Sequence, residues 1–516
     1  MNSKLSVILS RLTLRLNAAQ NASQKALILS SNFINEKRSY YTSTKRKQGK
    51  ETLYAKISPL GSIGTSLQPE LDGWVAKGNN LSIAELLRII HDLRKRKRFT
   101  QALEVSEWMY TKGVCKFTPT EHAVQLDLIG RVRGFLSAES YFNNLPDEDK
   151  TDKTYGALLN CYVRQRQLDK SLSHLQKMKE LGFASKSLTY NDIMCLYTNI
   201  GQYEKVPEVL AEMKENKVLP DNYSYRLCIN SYGAKSDIEA MRNILKEAET
   251  QPHMGVDWNT YVVAANFYIK AGLTDKGIDA LKKAEVRVDK KDGIGYNHLI
   301  SLYAKLEMKD EILRLWELEK SACKRCINRD YINVLESLVR IGAVEATEKV
   351  LKDWESSDNC YDFRVPNIVI VAYLDKGLLE KAEAMLVSAE KKGSSPNTWG
   401  MLAARYQEKG EMQKAISCMK SGLSSYVENK GWKPNKQVIF SLLNWIGDHG
   451  SVEDVESFVK LLRNVIPVNR QMYHALIKAH VRNGMDVDGL LEKMKADDVK
   501  EDEETRKIFG MIQKKA

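Results

Sequence analysis

The stretch TYNDIMCLYTNIGQYEKVPEVLAEMKENKVLPD, residues Thr189–Asp221, decides the fold. Its apolar residues follow the 3.6-residue helical period on either side of Gly201, so it reads as two helices joined by a short turn. Gly201 stands where the first helix ends and a left-handed residue is wanted. Leu219-Pro220-Asp221 closes the unit with turn chemistry. One such hairpin cannot bury its own apolar stripe and needs neighbours.

The chain supplies them. TYGALLNCYV from Thr154, SYRLCINSYG from Ser224, TYVVAANFYI from Thr260 and GYNHLISLYA from Gly295 align with the first stretch. Their aromatic anchors, Tyr155, Tyr190, Tyr225, Tyr261 and Tyr296, are separated by 35, 35, 36 and 35 residues. The period continues through Tyr331 and Pro366, shortens to Trp399, lengthens across a Gly/Pro/Lys-containing insert to Val438 and returns at Tyr473. Two degenerate units come first, with Ala102 and Ala138 in the register of Ser171. A small residue recurs sixteen positions after the anchor (Ser171, Gly277, Thr347, Ala382, Ala415), where two helix axes must approach closely. A glycine recurs eleven after it (Gly201, Gly272, Gly342, Gly377, Gly410, Gly484). The expected fold is all-α: a right-handed superhelical solenoid of about ten to twelve helix-turn-helix repeats of ~35 residues.

Charge is unevenly placed. The 516 residues include 78 Lys+Arg and 66 Asp+Glu, a net +12. Residues 1–50 hold ten of those cations and one acid, Glu36, so the leader carries +9 and the rest of the chain only +3. Lys4, Arg11 and Arg15 fall on one side of a helix beside an apolar side of Leu5, Leu9, Leu12 and Leu16. An acid-poor, Ser- and Arg-containing amphipathic leader is the transit-peptide pattern. Arg38-Ser-Tyr40-Tyr41 is similar to the processing sites of mitochondrial matrix proteins. The expected divisions are a mitochondrial transit peptide at 1–40, a partly disordered linker at 41–82 and degenerate helical repeats at 83–150. The main array follows at 151–495 and a charged cap at 496–516. Localisation is expected in the mitochondrial matrix, with the plastid as the alternative. The longest apolar run, Ile368–Leu374, is far short of the ~20 residues that span a bilayer. The eight scattered cysteines match no secreted disulfide framework.

Two helical-repeat classes have this period. The tetratricopeptide pattern wants a small residue four positions after the anchor, where this chain has Leu159, Met194, Ile229, Ile300, Leu335, Ile370 and Ile477. Thr189–Asp221 instead resembles a pentatricopeptide repeat, with its Tyr190-Asn191 start, Gly201, Met213 and Pro220-Asp221 end. The resemblance extends over roughly residues 83–495 and is to the P-type branch, whose units are uniformly about 35 long. It implies a plant organellar, non-catalytic protein that binds single-stranded RNA and acts in mitochondrial RNA maturation, stability or translation. The alternative is a structural scaffold of a large ribonucleoprotein such as the mitochondrial ribosome.

The resemblance also implies which side chains would read bases: the residue after each anchor and the last residue of the unit. Asn191 with Asp221 is a clean family-type pair, expected to favour uridine. Asn367 with Asn397 is a pyrimidine candidate across a turn shortened by two residues, and Asn297 offers a further amide. Val262, Ile332 and Ile439 cannot hydrogen-bond a base, and Gly156 and Gly400 carry no side chain. Asparagines near helix starts are also ordinary caps, a second reading of Asn297 and Asn367. For phosphate contact, Arg94-Lys95-Arg96-Lys97-Arg98 closes the first helix of the earliest unit, with Arg88 before it and Arg131 and Arg133 in the next. Cations at a helix C-terminus also suit the macrodipole without any ligand. Asp497, Asp498, Glu501, Asp502, Glu503 and Glu504 make the far end acidic, so RNA is expected at the N-terminal half.

Catalytic patterns are missing from the sequence. Cys323-Lys-Arg-Cys326 has half the spacing of a zinc site with no second pair. There is no His-x-Glu followed by Pro-Cys-x-x-Cys, no phosphate-binding GxxxxGK[ST] loop and no GxSxG elbow. A protein without cofactor or metal is expected.

Overall fold

The computed structural model describes residues 52–57, 60, 66–78, 82–291, 293–390, 392–393, 395–426 and 432–510; the leader expected at 1–40 lies outside them. Among the described residues there are 27 α-helices and no strand. The chain divides into two units, residues 1–248 and 249–516.

The first unit holds α1 (Leu53–Ile57), α2 (Gln68–Ala76), α3 (Ile83–Lys95), α4 (Phe99–Thr111), α5 (Pro119–Val132), α6 (Phe135–Asn143), α7 (Asp152–Arg164), α8 (Leu168–Glu180), α9 (Ser187–Ile200), α10 (Lys205–Glu215), α11 (Asn222–Ala234) and α12 (Ile238–Glu249). The second holds α13 (Trp258–Lys270), α14 (Thr274–Glu285), α15 (Gly293–Lys305), α16 (Lys309–Ala322), α17 (Asn328–Arg340), α18 (Val344–Glu355), α19 (Arg364–Asp375) and α20 (Leu379–Glu390). It continues with α21 (Pro396–Glu408), α22 (Met412–Ser424), α23 (Lys436–His449), α24 (Val452–Arg463), α25 (Arg470–Arg482), α26 (Asp488–Ala496) and α27 (Glu503–Gly510). From α3 to α26 each odd-numbered helix leads a hairpin and the next even-numbered helix trails it. Within each unit, from α5 on, leading helices also pack on one another, as α5 does on α7 and α15 on α17.

The repeated residues explain the stacking. Tyr190, Tyr225 and Tyr473 are buried anchors, and Ser171, Thr347, Ala382 and Ala415 are buried where the two helices of a hairpin cross. A methyl group on Gly277 would lie 2.8 Å from Ile269 Cγ1, so a larger residue at that crossing would force the isoleucine aside. Gly201 has φ 79° at the end of α9. Lys97, Arg166, Ser236 and Glu307 take the same left-handed turn in other units without glycine's freedom. Asp221 and Asp257 cap α11 and α13 by accepting from the Ser224 and Thr260 amides at 2.9 and 2.8 Å.

Residues 41–82, expected as a linker, include α1 and α2, whose Leu53, Ile57, Leu71 and Trp74 are buried. Trp108 Nε1 donates to Asp72 at 3.0 Å and holds α2 against α4.

Charges on the trailing helices pair across successive hairpins. Lys214 meets Glu247 at 2.5 Å, Lys283 meets Glu249 at 2.7 Å and Lys381 meets Glu348 at 3.0 Å. Tyr225 and Tyr261 hydroxyls donate to the first two of those acids at 2.8 and 2.9 Å. Each exposed pair adds little stability.

Candidate nucleic-acid interface

At 3.6 residues per turn, positions two before, five after and nine after the anchor lie roughly opposite it on the leading helix. The anchor points into the core, so these positions form the helix's free face. On α15 they are Ile294, Ser301 and Lys305; on α13, Asn266 and Lys270 fall there, and on α17, Glu336 and Arg340.

Three cations thus recur at one position in three consecutive hairpins. Lys305 Nζ donates to Asn266 Oδ1 at 2.7 Å, and Lys270 lies over the Phe267 ring at 5.3 Å. None of Lys270, Lys305 and Arg340 forms an ion pair among the described residues. Burial, and then repulsion from Lys270 and Arg340, hold the Lys305 ammonium below the ordinary lysine pKa. Glu336 shares this face on α17; burial pushes its carboxyl pKa up while Arg340 opposes. An anion lying along this row would relieve the repulsion and regain the missing partners.

The first-unit cations are arranged differently. Arg94 and Arg131, sequence candidates, converge with Arg164 on Asp127 at 3.0, 3.0 and 3.1 Å. Burial disfavours the Asp127 carboxylate, but the three guanidiniums outweigh it and hold its pKa below the usual range. Arg133 forms a two-pronged pair with Glu107 at 2.6 and 2.8 Å. Arg98 donates to Gln101 Oε1 and the Leu60 carbonyl, and Arg96 lies over the Tyr54 ring. Lys97 occupies the left-handed turn position. Arg88, Lys95 and Lys97 are exposed and form no ion pair among the described residues. Cations free of carboxylate partners therefore occur in both units, and the row with one per hairpin is in the second, away from the N-terminal run.

The base-reading candidates are woven into the protein. Asn191 is 2% exposed; its Nδ2 donates to Asp221 Oδ1 and Oδ2 at 3.1 and 3.3 Å, and its Oδ1 accepts from Ser224 Oγ at 2.7 Å. The structure therefore brings Asn191 and Asp221 together, with Ser224 as a third member. Asn297 Nδ2 donates to Asp330 Oδ1 at 2.7 Å, thirty-three residues on, while Asn297 Oδ1 is buried without a partner. Asn367 and Asn397 are not joined. Asn367 Oδ1 accepts from Thr398 Oγ1 at 2.6 Å, and Asn397 is exposed with its amide toward Met401 Sδ at 3.9 Å. The shortened turn puts Ser395 at the cap position and carries Asn397 into the first turn of α21. His474, the residue after the last anchor, meets Thr505 at 2.8 Å in the same pattern. The residue after the anchor thus commonly ties one leading helix to the next.

Within each unit, residues outside the sequence candidates lie on the free faces of leading helices. In three hairpins the residue two before the anchor exposes apolar surface: Leu188 at 64% and Tyr223 at 40% in the first unit, and Ile294 at 40% in the second. The signal was periodic and would emerge from comparing positions −2 and +9 across units. Among the described residues no cluster of three His, Cys, Asp or Glu side chains could hold a metal, and no helix is long and apolar enough to cross a membrane.

Comparisons with known proteins agree with this architecture. A PPR repeat family profile matches residues 185–234, and a PPR repeat profile matches 153–183 and 294–318. A mitochondrial pentatricopeptide repeat-containing protein of Arabidopsis thaliana is 57% identical over 476 residues, covering 92% of this chain and 96% of its own. A second from the same plant, also mitochondrial, is 35% identical over 415 residues, covering 80% and 84%. The Arabidopsis large ribosomal subunit protein mL101 is 29% identical over 471 residues, covering 90% and 96%. The solved structure of the maize pentatricopeptide repeat protein PPR10 shares the fold, with a TM-score of 0.50, 17% identity, and coverage of 89% of this chain and 66% of that one. The localisation expected from the leader is that of the first two relatives. Hairpin period, anchor register and extended identity together make this chain a member of the pentatricopeptide repeat family.

Proposed function

We propose that the protein binds single-stranded RNA along the free face of its leading helices and acts, without catalysis, in mitochondrial RNA maturation, stability or translation. The observation that carries this is the row Lys270, Lys305 and Arg340, one cation per hairpin with no ion pair among the described residues. Phosphates supply regularly spaced negative charge, and counterion release makes their capture favourable. Apolar groups at Leu188, Tyr223 and Ile294 give bases somewhere to lie. Candidate phosphate contacts in the first unit are Arg88, Lys95 and Lys97, with the Arg94–Arg131–Arg164 cluster keeping excess positive charge around Asp127.

Asn191 with Asp221 remains the candidate base-reading pair, supported by their direct contact. A base reaching them would exchange hydrogen bonds already made within the protein, so the gain per base is smaller than for free amides. Crosslinking in isolated mitochondria followed by sequencing of the bound RNA tests the reading. A recurrent single-stranded footprint supports it; no RNA above background overturns it.

The second reading is a scaffold within a large ribonucleoprotein. It is favoured by the likeness to mL101, itself a large ribosomal subunit protein. Sedimentation separates the two: comigration with a ribosomal particle through high-salt washes supports the scaffold, and a slowly sedimenting protein excludes it.

A further inference from the structure

Gly400 follows the anchor Trp399, the register in which Asn191 and Asn297 stand in their own repeats. That position is not empty. A methyl group on Gly400 would lie 3.2 Å from Cζ2 of Trp432, so the indole rests on the bare backbone of α21. Trp432 comes from the insert before α23, is half-buried, and has the Tyr426 ring 6.4 Å away at 46°. An alanine there would make the ring give way by a few tenths of an ångström. The missing side chain at Gly400 and the tryptophan of the insert therefore form one arrangement.

Positive charge surrounds the indole in sequence. Lys433 is its neighbour and Lys436 opens α23; both are exposed and form no ion pair among the described residues. Phe440, one turn along from Lys436, is 45% exposed. An accessible indole beside unpaired lysines is the combination that holds an unpaired base and its phosphate, because every base has a π-face to stack.

We propose that Trp432, seated on Gly400, is a stacking platform for one base of single-stranded RNA, replacing hydrogen-bond reading in this repeat with contact blind to base identity. This rests on the RNA-binding function proposed above.

The experiment measures binding of the full chain to oligo(U), oligo(C) and oligo(A) for wild type, Trp432→Ala, Trp432→Phe, Gly400→Ala and the Lys270→Ala/Lys305→Ala/Arg340→Ala variant. Trp432→Ala is expected to weaken binding about tenfold on all three strands, and Trp432→Phe to keep most of the affinity. Gly400→Ala is expected to weaken it by displacing an intact ring, and decides the matter should Trp432→Ala melt early. Unchanged affinity in Trp432→Ala and Gly400→Ala, with the cation variant impaired, overturns the platform and leaves RNA binding standing. Tighter binding or a longer footprint in Trp432→Ala also overturns it, since the indole would then be blocking a seat. If wild type binds none of the strands, both proposals fall together.

Discussion

Asn191 and Ser224, thirty-three residues apart, meet across neighbouring hairpins with the serine hydroxyl donating to the amide oxygen at 2.7 Å. The other end of the amide is held by Asp221, which also caps the helix bearing Ser224. One asparagine therefore joins α9 to the start of α11 through groups that are largely buried. Asn191→Ala would remove the amide bridging Asp221 and Ser224, which keep only their hydrogen bonds to each other and to Ser187. Its expected cost is about 1–3 kcal/mol of stability, read as a lower urea midpoint without any RNA present. Unchanged stability would show that the amide does not hold the hairpins together, and any effect of this variant on RNA binding must be corrected for its effect on folding.

Asp192, the next residue, carries a pH signature. Burial raises its pKa to about 6, against lowering by the Asn160 amide and Arg164. Asn160 Nδ2 donates to it at 3.1 Å. An acid whose folded pKa lies above its unfolded value binds more protons when folded, so it favours the fold below about pH 4 and this advantage is lost as pH rises to about 6. Asp192→Asn keeps the hydrogen bond and removes the ionisation. The variant is expected to be more stable at pH 7.5, by on the order of 2 kcal/mol, with the difference from wild type closing toward pH 4. A difference independent of pH would refute the assignment.

The left-handed turn between paired helices offers a stabilising change. Ser236 and Glu307 have φ of 61° and 57°, where most units carry glycine. The left-handed conformation costs an L-residue roughly 1–2 kcal/mol, partly offset by the greater unfolded entropy of glycine. Ser236→Gly and Glu307→Gly are each expected to raise stability by about 0.5–1 kcal/mol. Equal or lower urea midpoints for both variants would count against this.

The repeat architecture was legible because each hairpin needs the same few things: a buried anchor, a close helix crossing and a left-handed turn. The period of Tyr155, Tyr190 and Tyr225 reports all three at once. The short helices α1 and α2 were not legible, since Leu71 and Trp74 make a single apolar pair with no repeat to support it. At the base-reading positions, sequence located Asn191 beside Asp221 but could not show Ser224 completing the contact. It misplaced the partner of Asn367, because two deleted residues moved Thr398 into the place that an uninterrupted count assigns elsewhere. Charge was the hardest feature to read. The conspicuous Arg94–Arg98 run is largely engaged with Asp127, Gln101, Leu60 and Tyr54, whereas Lys270, Lys305 and Arg340 are separate in sequence and meet only in the stack.

The salt dependence of RNA binding tests that row most directly. Affinity of the full chain for oligo(U) is measured across salt concentrations for wild type and for Lys270→Ala/Lys305→Ala/Arg340→Ala. Each phosphate lost from a single strand lowers the log–log slope by about 0.7, so the variant is expected to bind more weakly with a slope shallower by about 2. An unchanged slope, or a wild-type protein that binds no single strand at all, would contradict the account.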